Sequence, residues 1–145
     1  MPFPQPVPGL VIRYSYLWRS EQKRGHEEGV KDRPCAVVMA VTNDHGDVIV
    51  TVLPVTHAPP ADRSVAVEIP HAVKRRLGLN DERSWIVVSE ANRFAWPGPD
   101  LRMAENGNPE SVAYGLLPGA LFKEIRKRFG DAIELRLASV VPRTE

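Results

Sequence analysis

Cysteine, long apolar runs and targeting signals are scarce or missing in this sequence. Cys35 is the only cysteine among 145 residues, which excludes an internal disulfide and fits a reducing compartment. No apolar run approaches the roughly 20 residues that a membrane-spanning helix needs, and MPFPQPVPGL lacks the basic and apolar regions of a signal peptide. We therefore expect a cytoplasmic protein that does not contact a membrane.

The motifs of metal and cofactor sites are also missing. The four histidines at positions 26, 45, 57 and 71 have no metal-type spacing, and one cysteine is too few for a zinc site. There is no Walker loop, no dinucleotide fingerprint and no Gly-x-Ser-x-Gly turn. Cys35 lies within an apolar run, where a thiol usually packs as a small hydrophobic group. We therefore expect neither a metal nor a cofactor.

A large excess of charge of either sign is absent as well. The 19 Lys and Arg residues against 18 Asp and Glu residues give a net charge of +1, so nucleic-acid binding needs a local basic surface. Hydrophobic residues make up 43% of the chain and charged residues 26%, as in globular proteins. The length suits a single domain, 1–145, with a core of ordinary size.

The apolar residues that are present follow strand periods. GLVIRYSYLW and RSVAVEI alternate, whereas PCAVVMAVT is a nearly continuous apolar run, typical of a strand buried on both faces. NDHGD carries the Asn, Asp and Gly of a hairpin turn. The predicted strands are residues 9–18, 34–42, 48–56, 63–69 and 84–96.

Two segments have helical features. PHAVKRRLGL has Pro70 near its start and Gly78 near its end, and residues 118–129 place four apolar side chains on one face. The predicted irregular parts are a Pro-rich arm (1–8), a polar loop (19–33), a loop insertion (97–116) and a C-terminal tail (131–145). Together these elements predict a mainly β fold, a small β-barrel with a short inter-strand helix and a C-terminal helix.

Polar side chains collect at the predicted strand ends. The candidates are Arg33, Thr56, His57, Glu90, Asn92 and Arg93. Judged by residue type alone, they are either solvated rim residues or members of a functional site.

The order of these segments resembles the MazF/PemK toxins of bacterial toxin–antitoxin systems, which have the Kid or CcdB-like fold. The matching stretches are PGLVIRYSYLWRSEQKRG, KDRPCAVVMAV, VIVTVLPVTHAPP, SWIVVSEANRFAWPG and PGALFKEIRKRF, in this order over most of residues 8–129. Arg-Pro before one strand and Pro-x-Thr at the end of the next carry most of the resemblance. It implies an SH3-like barrel of the CcdB/MazF type and a homodimer.

The resemblance also implies a function. Such toxins are growth inhibitors of plasmid-maintenance systems that cleave single-stranded RNA without a metal and are neutralised by a cognate antitoxin. Arg33 falls on the family's catalytic arginine and Thr56 on its catalytic threonine, while Glu90 and Arg93 fall in the segment that lines the RNA groove. We therefore expect an endoribonuclease, a hydrolase that leaves cyclic phosphate ends.

The chemistry of RNA cleavage agrees with this assignment. Attack by the 2′-hydroxyl passes through a phosphorane with extra negative charge, and a planar guanidinium holds two of its oxygens at once. Because arginine remains protonated, we assign Arg33 to transition-state stabilisation or proton donation. The base stays open between His57, if the backbone turns after Thr56, and His26. The RNA-binding candidates are His57, Glu90, Asn92, Arg93 and, by base stacking, Trp96.

Two other functions stay open. A non-catalytic SH3-like barrel would bind nucleic acid or protein at the same rim. VEIPHAVKRRLGLNDE resembles a segment of AbrB-type DNA-binding proteins, which implies contact with duplex DNA. Otherwise this segment is a strand and a surface helix on which Lys74, Arg75 and Arg76 face water.

Overall fold

The computed structural model describes residues 3–25, 31–104 and 111–143. His26 and parts of the predicted arm, polar loop, insertion and tail therefore lie outside the described residues. Within them, the fold is mainly β with three α-helices. The strands are β1 (Leu10–Tyr14), β2 (Arg33–Thr42), β3 (Val48–Thr56), β4 (Ala66–Glu68), β5 (Trp85–Val87), β6 (Glu90–Trp96), β7 (Leu101–Arg102), β8 (Ala113–Leu116) and β9 (Ser139–Pro142). The helices are α1 (Arg19–Lys23), α2 (His71–Leu77) and α3 (Gly119–Glu134).

The strands join in one branched sheet. Its main path runs β4–β5–β3–β2–β1–β7, and β6, β8 and β9 attach to β3, β1 and β6 respectively. These pairings are antiparallel except that of β6 with β9. Among the described residues no pairing closes the sheet into a ring. The mainly β class with added helices is therefore confirmed, and the barrel stays a prediction.

The β2–β3 ladder is the longest in the sheet and reaches Cys35 opposite Pro54. Its turn is the predicted NDHGD hairpin. The Asn43 Oδ1 accepts hydrogen bonds from two backbone N–H groups of the turn, each at 2.9 Å. Gly46 adopts a φ of 84°, which glycine reaches without the steric cost that a Cβ brings. Turn chemistry therefore sets the register of the hairpin end, from Thr42 opposite Val48 to Met39 opposite Thr51. Between Met39 and Val37 the register shifts by one residue.

Two apolar clusters lie on opposite faces of the β2–β3 pair, because neighbouring side chains of a strand alternate. The first core cluster includes Val11, Ala36, Leu53, Val55, Leu77, Ile86, Ile125 and Phe129. The second core cluster includes Ile12, Tyr14, Tyr16, Cys35, Val37, Val50, Val52 and Phe94. The prediction that PCAVVMAVT is a strand buried on both faces is confirmed for residues 35–38.

Helix α3 covers the first core cluster. It buries Ile125, Phe129 and Ala132, which lie on one face at helical spacing, and it continues past the predicted end at residue 129. Helix α2 ends at Gly78, whose φ of 72° is the left-handed cap that glycine favours. None of the helices in the described ranges has the length and apolarity required to cross a membrane.

Several predicted irregular segments contain short elements. Helix α1 forms within the predicted polar loop because the Glu21 carboxylate accepts a hydrogen bond from the Trp18 N–H at 3.0 Å, which caps its start. Strands β7 and β8 lie in the predicted insertion, and the predicted tail contains the end of α3 and β9. The predicted strand 84–96 is divided into β5 and β6, and residues 63–65 form a 3₁₀ turn before β4. These elements are too short for periodicity to reveal them.

We predict that Ile125→Ala lowers the free energy of unfolding by about 2–5 kcal/mol, because it removes buried methyl groups and leaves a cavity. Ile125 is fully buried, whereas the next residue, Arg126, is exposed. The matched control Arg126→Ala should change stability by less than about 0.5 kcal/mol. Urea unfolding followed by circular dichroism measures both, and equal effects would contradict the packing of α3 described above.

Candidate functional site

Arg33 and Thr56 lie at adjoining strand ends. Strand β2 begins at Arg33, and β3 ends at Thr56. Because Cys35 is opposite Pro54, continuing this antiparallel register by two residues brings Arg33 opposite Thr56. Alternation then assigns both side chains to the face of Cys35, on the side of the second core cluster. The last pair of the ladder is Cys35 with Pro54, so the two residues that the sequence predicts as a pair lie two positions beyond it, at adjoining strand ends.

Uncharged groups hold the guanidinium of Arg33. Its Nη1 donates a hydrogen bond to the Val55 carbonyl at 3.1 Å, and its Cζ lies 4.9 Å from the ring centroid of Trp18, within cation–π distance. Within the described ranges, no carboxylate forms an ion pair with Arg33, and its buried Nε has no hydrogen-bond partner. The adjacent Asp32 instead faces two other arginines, at 3.8 and 3.6 Å. Among the residues that the structure describes, no acid therefore neutralises the charge of Arg33.

The hydroxyl of Thr56 has a free donor role. Its Oγ1 accepts a hydrogen bond from the Ala58 N–H at 3.2 Å, which leaves the hydroxyl proton able to donate to a ligand. The backbone bends at residues 57 and 58, which meets the condition under which His57 was expected to reach the same site.

A cavity of about 440 Å³ opens at these strand ends, and we call it the strand-end cavity. Its polar lining consists of Arg13, Lys31, Asp32, Arg33, His57, Lys74, Asn80, Glu82 and Ser84. Four of these side chains are cationic and two are carboxylates, without counting the histidine. In a chain of nearly balanced charge, this lining is a local basic surface suited to an anion.

Lys74 is buried, contrary to the prediction that it faces water beside Arg75 and Arg76, which are exposed. Only 2% of Lys74 is exposed. Its Nζ donates hydrogen bonds to Ser84 Oγ at 2.7 Å, to Asn80 Oδ1 at 3.0 Å and to the Glu82 carbonyl. Burial lowers the pKa of Lys74. Its ammonium group connects α2 to the loop before β5 and so shapes one wall of the cavity.

His57 is oriented by this loop. Because Asn80 Oδ1 accepts hydrogen bonds from Lys74 and from the Glu82 N–H, the Asn80 amide nitrogen faces His57 Nε2, at 3.0 Å. We therefore assign Nε2 as an acceptor and place the ring proton on Nδ1, 3.2 Å from the Arg83 carbonyl. The Glu82 carboxylate lies 3.3 Å from Nε2 and would pair with a protonated ring.

Glu90 and Asn92 hold the chain between β1 and α1. The Glu90 Oε1 accepts hydrogen bonds from the Tyr16 hydroxyl at 3.1 Å and from the Arg19 N–H at 3.0 Å. The fully buried Asn92 bonds both the N–H and the carbonyl of Leu17, each at 2.8 Å. Burial raises the pKa of Glu90 and that of Tyr16, so the Tyr16 hydroxyl stays protonated and donates. Both side chains therefore hold the backbone between β1 and α1 in place.

The remaining candidates on β6 do not line the strand-end cavity. Arg93 is exposed. Trp96 is partly buried and lies with its ring centroid 6.2 Å from that of Phe94, against the second core cluster. Of the predicted site residues, Arg33 and His57 line the strand-end cavity, whereas Thr56, Arg93 and Trp96 do not. Thr56 lies at the strand end that adjoins Arg33 and directly precedes His57.

Lys74, Asn80 and Ser84 line the strand-end cavity but were not predicted from the sequence. One signal for Lys74 was present, because it precedes the buried Leu77 by three residues and so lies on the same face of α2. Asn80 and Ser84 belong to an irregular loop, and only the packing of that loop brings them to the lysine.

Comparison with protein-family models found no matching family, and comparison with curated protein sequences found no significant match. Within the described ranges, no three His, Cys, Asp or Glu side chains are grouped so that they would hold a metal ion.

We predict that Glu90→Gln stabilises the protein at neutral pH. The folded-state pKa of Glu90 is raised by burial, so the wild type loses stability as the pH rises from about 4 through this raised value. A glutamine oxygen accepts the same two hydrogen bonds without ionising. Urea midpoints from pH 3.5 to 8 should therefore show a gain that is absent at the acid end and grows with pH. The exposed control Glu134→Gln should show no such growth, and a gain independent of pH would contradict the assignment.

Proposed function

We propose that this protein is a MazF/PemK-like toxin, a metal-independent endoribonuclease that cleaves single-stranded RNA at the adjoining ends of β2 and β3. The observation that carries the proposal is the position of Arg33, at the strand end that adjoins Thr56 and without a carboxylate partner among the described residues. A cation that lines a basic cavity and has no ion-pair partner among the described residues is suited to a phosphodiester.

Arg33 stabilises the developing charge. As the 2′-oxygen attacks phosphorus, the non-bridging oxygens gain negative charge, and a guanidinium donates two parallel hydrogen bonds to them. One Nη1 hydrogen bond and the Trp18 ring fix its position, so little reorganisation is needed during the reaction. The Thr56 hydroxyl donates a further hydrogen bond to the same phosphate, since its oxygen already accepts one from the backbone.

His57 supplies the proton acceptor. Its Nε2 carries no proton in the tautomer assigned above, and the Glu82 carboxylate 3.3 Å away stabilises the imidazolium that forms. The 2′-hydroxyl proton passes to Nε2 after the Asn80 amide moves aside. The bond between phosphorus and the 5′-oxygen breaks, and the leaving oxygen takes a proton from solvent. The products are a 2′,3′-cyclic phosphate and a 5′-hydroxyl.

The same proposal covers the finer architecture and the partners. The branched sheet is then the SH3-like barrel of the CcdB/MazF type, the protein is a homodimer, and a cognate antitoxin neutralises it. The support is the ordered resemblance of segments together with the mainly β fold and its C-terminal helix.

We predict that Arg33→Ala lowers kcat for RNA cleavage by about 10²–10³-fold, because it removes the main stabiliser of the phosphorane. Arg33→Lys should retain only part of the activity, since an ammonium group cannot make two parallel hydrogen bonds. The assay uses mixed-sequence single-stranded RNA in EDTA, with product ends identified by mass spectrometry. The control is Arg126→Ala on the exposed side of α3.

Persistent cleavage in EDTA with cyclic phosphate ends, lost in Arg33→Ala and kept in the control, supports the proposal. Unchanged cleavage in Arg33→Ala would show that Arg33 takes no part in the reaction. If no RNA is cleaved while gel shifts show binding, the protein is a non-catalytic nucleic-acid-binding module instead.

We predict that His57→Gln lowers kcat by about 10²–10⁴-fold, the usual contribution of a positioned base. Glutamine retains hydrogen-bonding capacity toward Ser84 and Asn80, so the loop should keep its structure. Single-turnover kinetics on a short RNA measures the chemical step directly. If His57→Gln cleaves RNA at the wild-type rate, another group is the general base.

A further inference from the structure

Residues 15–18 connect β1 to α1, and side chains from other strands hold them. The fully buried Asn92 of β6 bonds both backbone polar groups of Leu17 at 2.8 Å. Arg143, which directly follows β9, donates from Nη1 to the Ser15 carbonyl at 2.8 Å and to Asn92 Oδ1 at 3.1 Å. We call Asn92, Asp100 and Arg143 the polar anchor.

The charge of Arg143 is satisfied within the protein. Its Nη2 lies 2.8 Å from the Asp100 carboxylate, and the two side chains are only 2% and 9% exposed. Its Cζ also lies 5.3 Å from the ring centroid of Tyr14. A buried guanidinium with this number of directed contacts allows few alternative positions, because any displaced hydrogen bond leaves a buried polar group unpaired.

The position of the C-terminal segment depends on sheet pairing. Strand β9 runs parallel to β6, with Arg93 opposite Pro142, and the Arg143 N–H donates to the Arg93 carbonyl at 2.8 Å. The Arg143 side chain therefore enters the interior beside Asn92, which precedes Arg93 on β6. The backbone of β9 pairs with β6, and the guanidinium of Arg143 bonds Asn92 on the same strand.

The residue that follows the anchored backbone is Trp18. Its indole ring faces the guanidinium of Arg33, with 4.9 Å between Cζ and the ring centroid, and packs edge-on against Tyr16 at 5.2 Å. The chain from Ser15 to Leu17 is bound at each of its two ends by the polar anchor. Displacing it would move the ring that supports Arg33.

We propose that Arg143 is a positioning residue: through the backbone of residues 15–17 it holds Trp18 against Arg33 and so sets where that guanidinium lies. Its effect on catalysis rests on the proposed ribonuclease function, whereas its effect on the Trp18–Arg33 contact does not. The C-terminal segment is thus part of the machinery of a site whose residues lie much earlier in the sequence.

The first experiment detects the contact without any activity. The three tryptophans are labelled with 5-fluorotryptophan, and Trp18→Phe assigns the Trp18 resonance in ¹⁹F spectra. Arg33→Met defines the shift that loss of the cation produces. Because Arg143→Met alone leaves Asp100 buried and unpaired, the test variant is the double replacement Arg143→Met with Asp100→Asn, which removes both charges.

The expected result is that the double variant moves the Trp18 resonance toward its position in Arg33→Met and leaves the Trp85 resonance in place. Arg126→Met, an exposed replacement on α3, should move neither. An unmoved Trp18 resonance in a double variant that unfolds cooperatively would overturn the proposal. If the double variant does not fold, Arg143→Lys replaces it, since lysine keeps the charge but lacks the second nitrogen with which the guanidinium reaches Asp100 while Nη1 bonds Ser15 and Asn92.

The second experiment measures the catalytic consequence. The double variant and Trp18→Leu should lower kcat by about 10- to 100-fold, as expected for a misplaced catalytic group, with KM within about threefold of the wild-type value. Trp18→Phe keeps an aromatic face and should restore most of the rate. An altered Trp18 resonance with an unaltered kcat would overturn the positioning role of Arg143. A wild type that cleaves no RNA would refute the proposed function, while the ¹⁹F spectra would still show whether Arg143 holds Trp18 against Arg33.

Discussion

The antiparallel pairing of β2 with β3 organises both the core and the candidate site. Its alternating side chains supply the first core cluster on one face and the second on the other, so a slip of one residue would exchange the two sets. Continued by two residues past the last pair, Cys35 with Pro54, the register of this end of the ladder brings Arg33 at the start of β2 opposite Thr56 at the end of β3. The hairpin at Asn43 and Gly46 sets the register only as far as Met39. A shift of one residue between Met39 and Val37 then gives the register that continues toward Arg33 and Thr56. Packing and site geometry are consequences of one pairing.

The buried polar groups also organise the structure, on the face of the β2–β3 pair that carries the second core cluster. Buried polar groups are costly unless each finds a partner, and Asn92, Asp100 and Arg143 satisfy one another together with the backbone of residues 15–17. Such a network admits few arrangements. It gives Trp18 a defined place without using apolar packing alone, and Trp18 supports Arg33 through its π-face. An aromatic ring orients a cation without neutralising it, whereas a carboxylate would compete with an anionic substrate.

Elements with a clear period or turn signal were predictable. The β2–β3 hairpin, α2 with its glycine cap and the amphipathic α3 all follow from local sequence. Residues at their ends, including Arg33 and Thr56, were predictable as well, because a strand boundary is a local property. Lys74 was misjudged since charge was weighed above its helical spacing to Leu77. Asn92 was assigned to RNA because its residue type suits hydrogen bonding, and nothing in the neighbouring sequence shows that its partners are Leu17 and Arg143.

The sequence by itself determined the strands and helices of regular period, the hairpin turn and the presence of a cation where a solvated loop enters a buried strand. These depend on side chains within a few positions of one another. Only the tertiary structure decided that Arg33 faces Trp18, that Lys74 and Asn80 orient His57, and that Arg143 belongs to the interior. Those contacts join residues up to 128 positions apart, and their existence depends on which strands pair rather than on any local pattern.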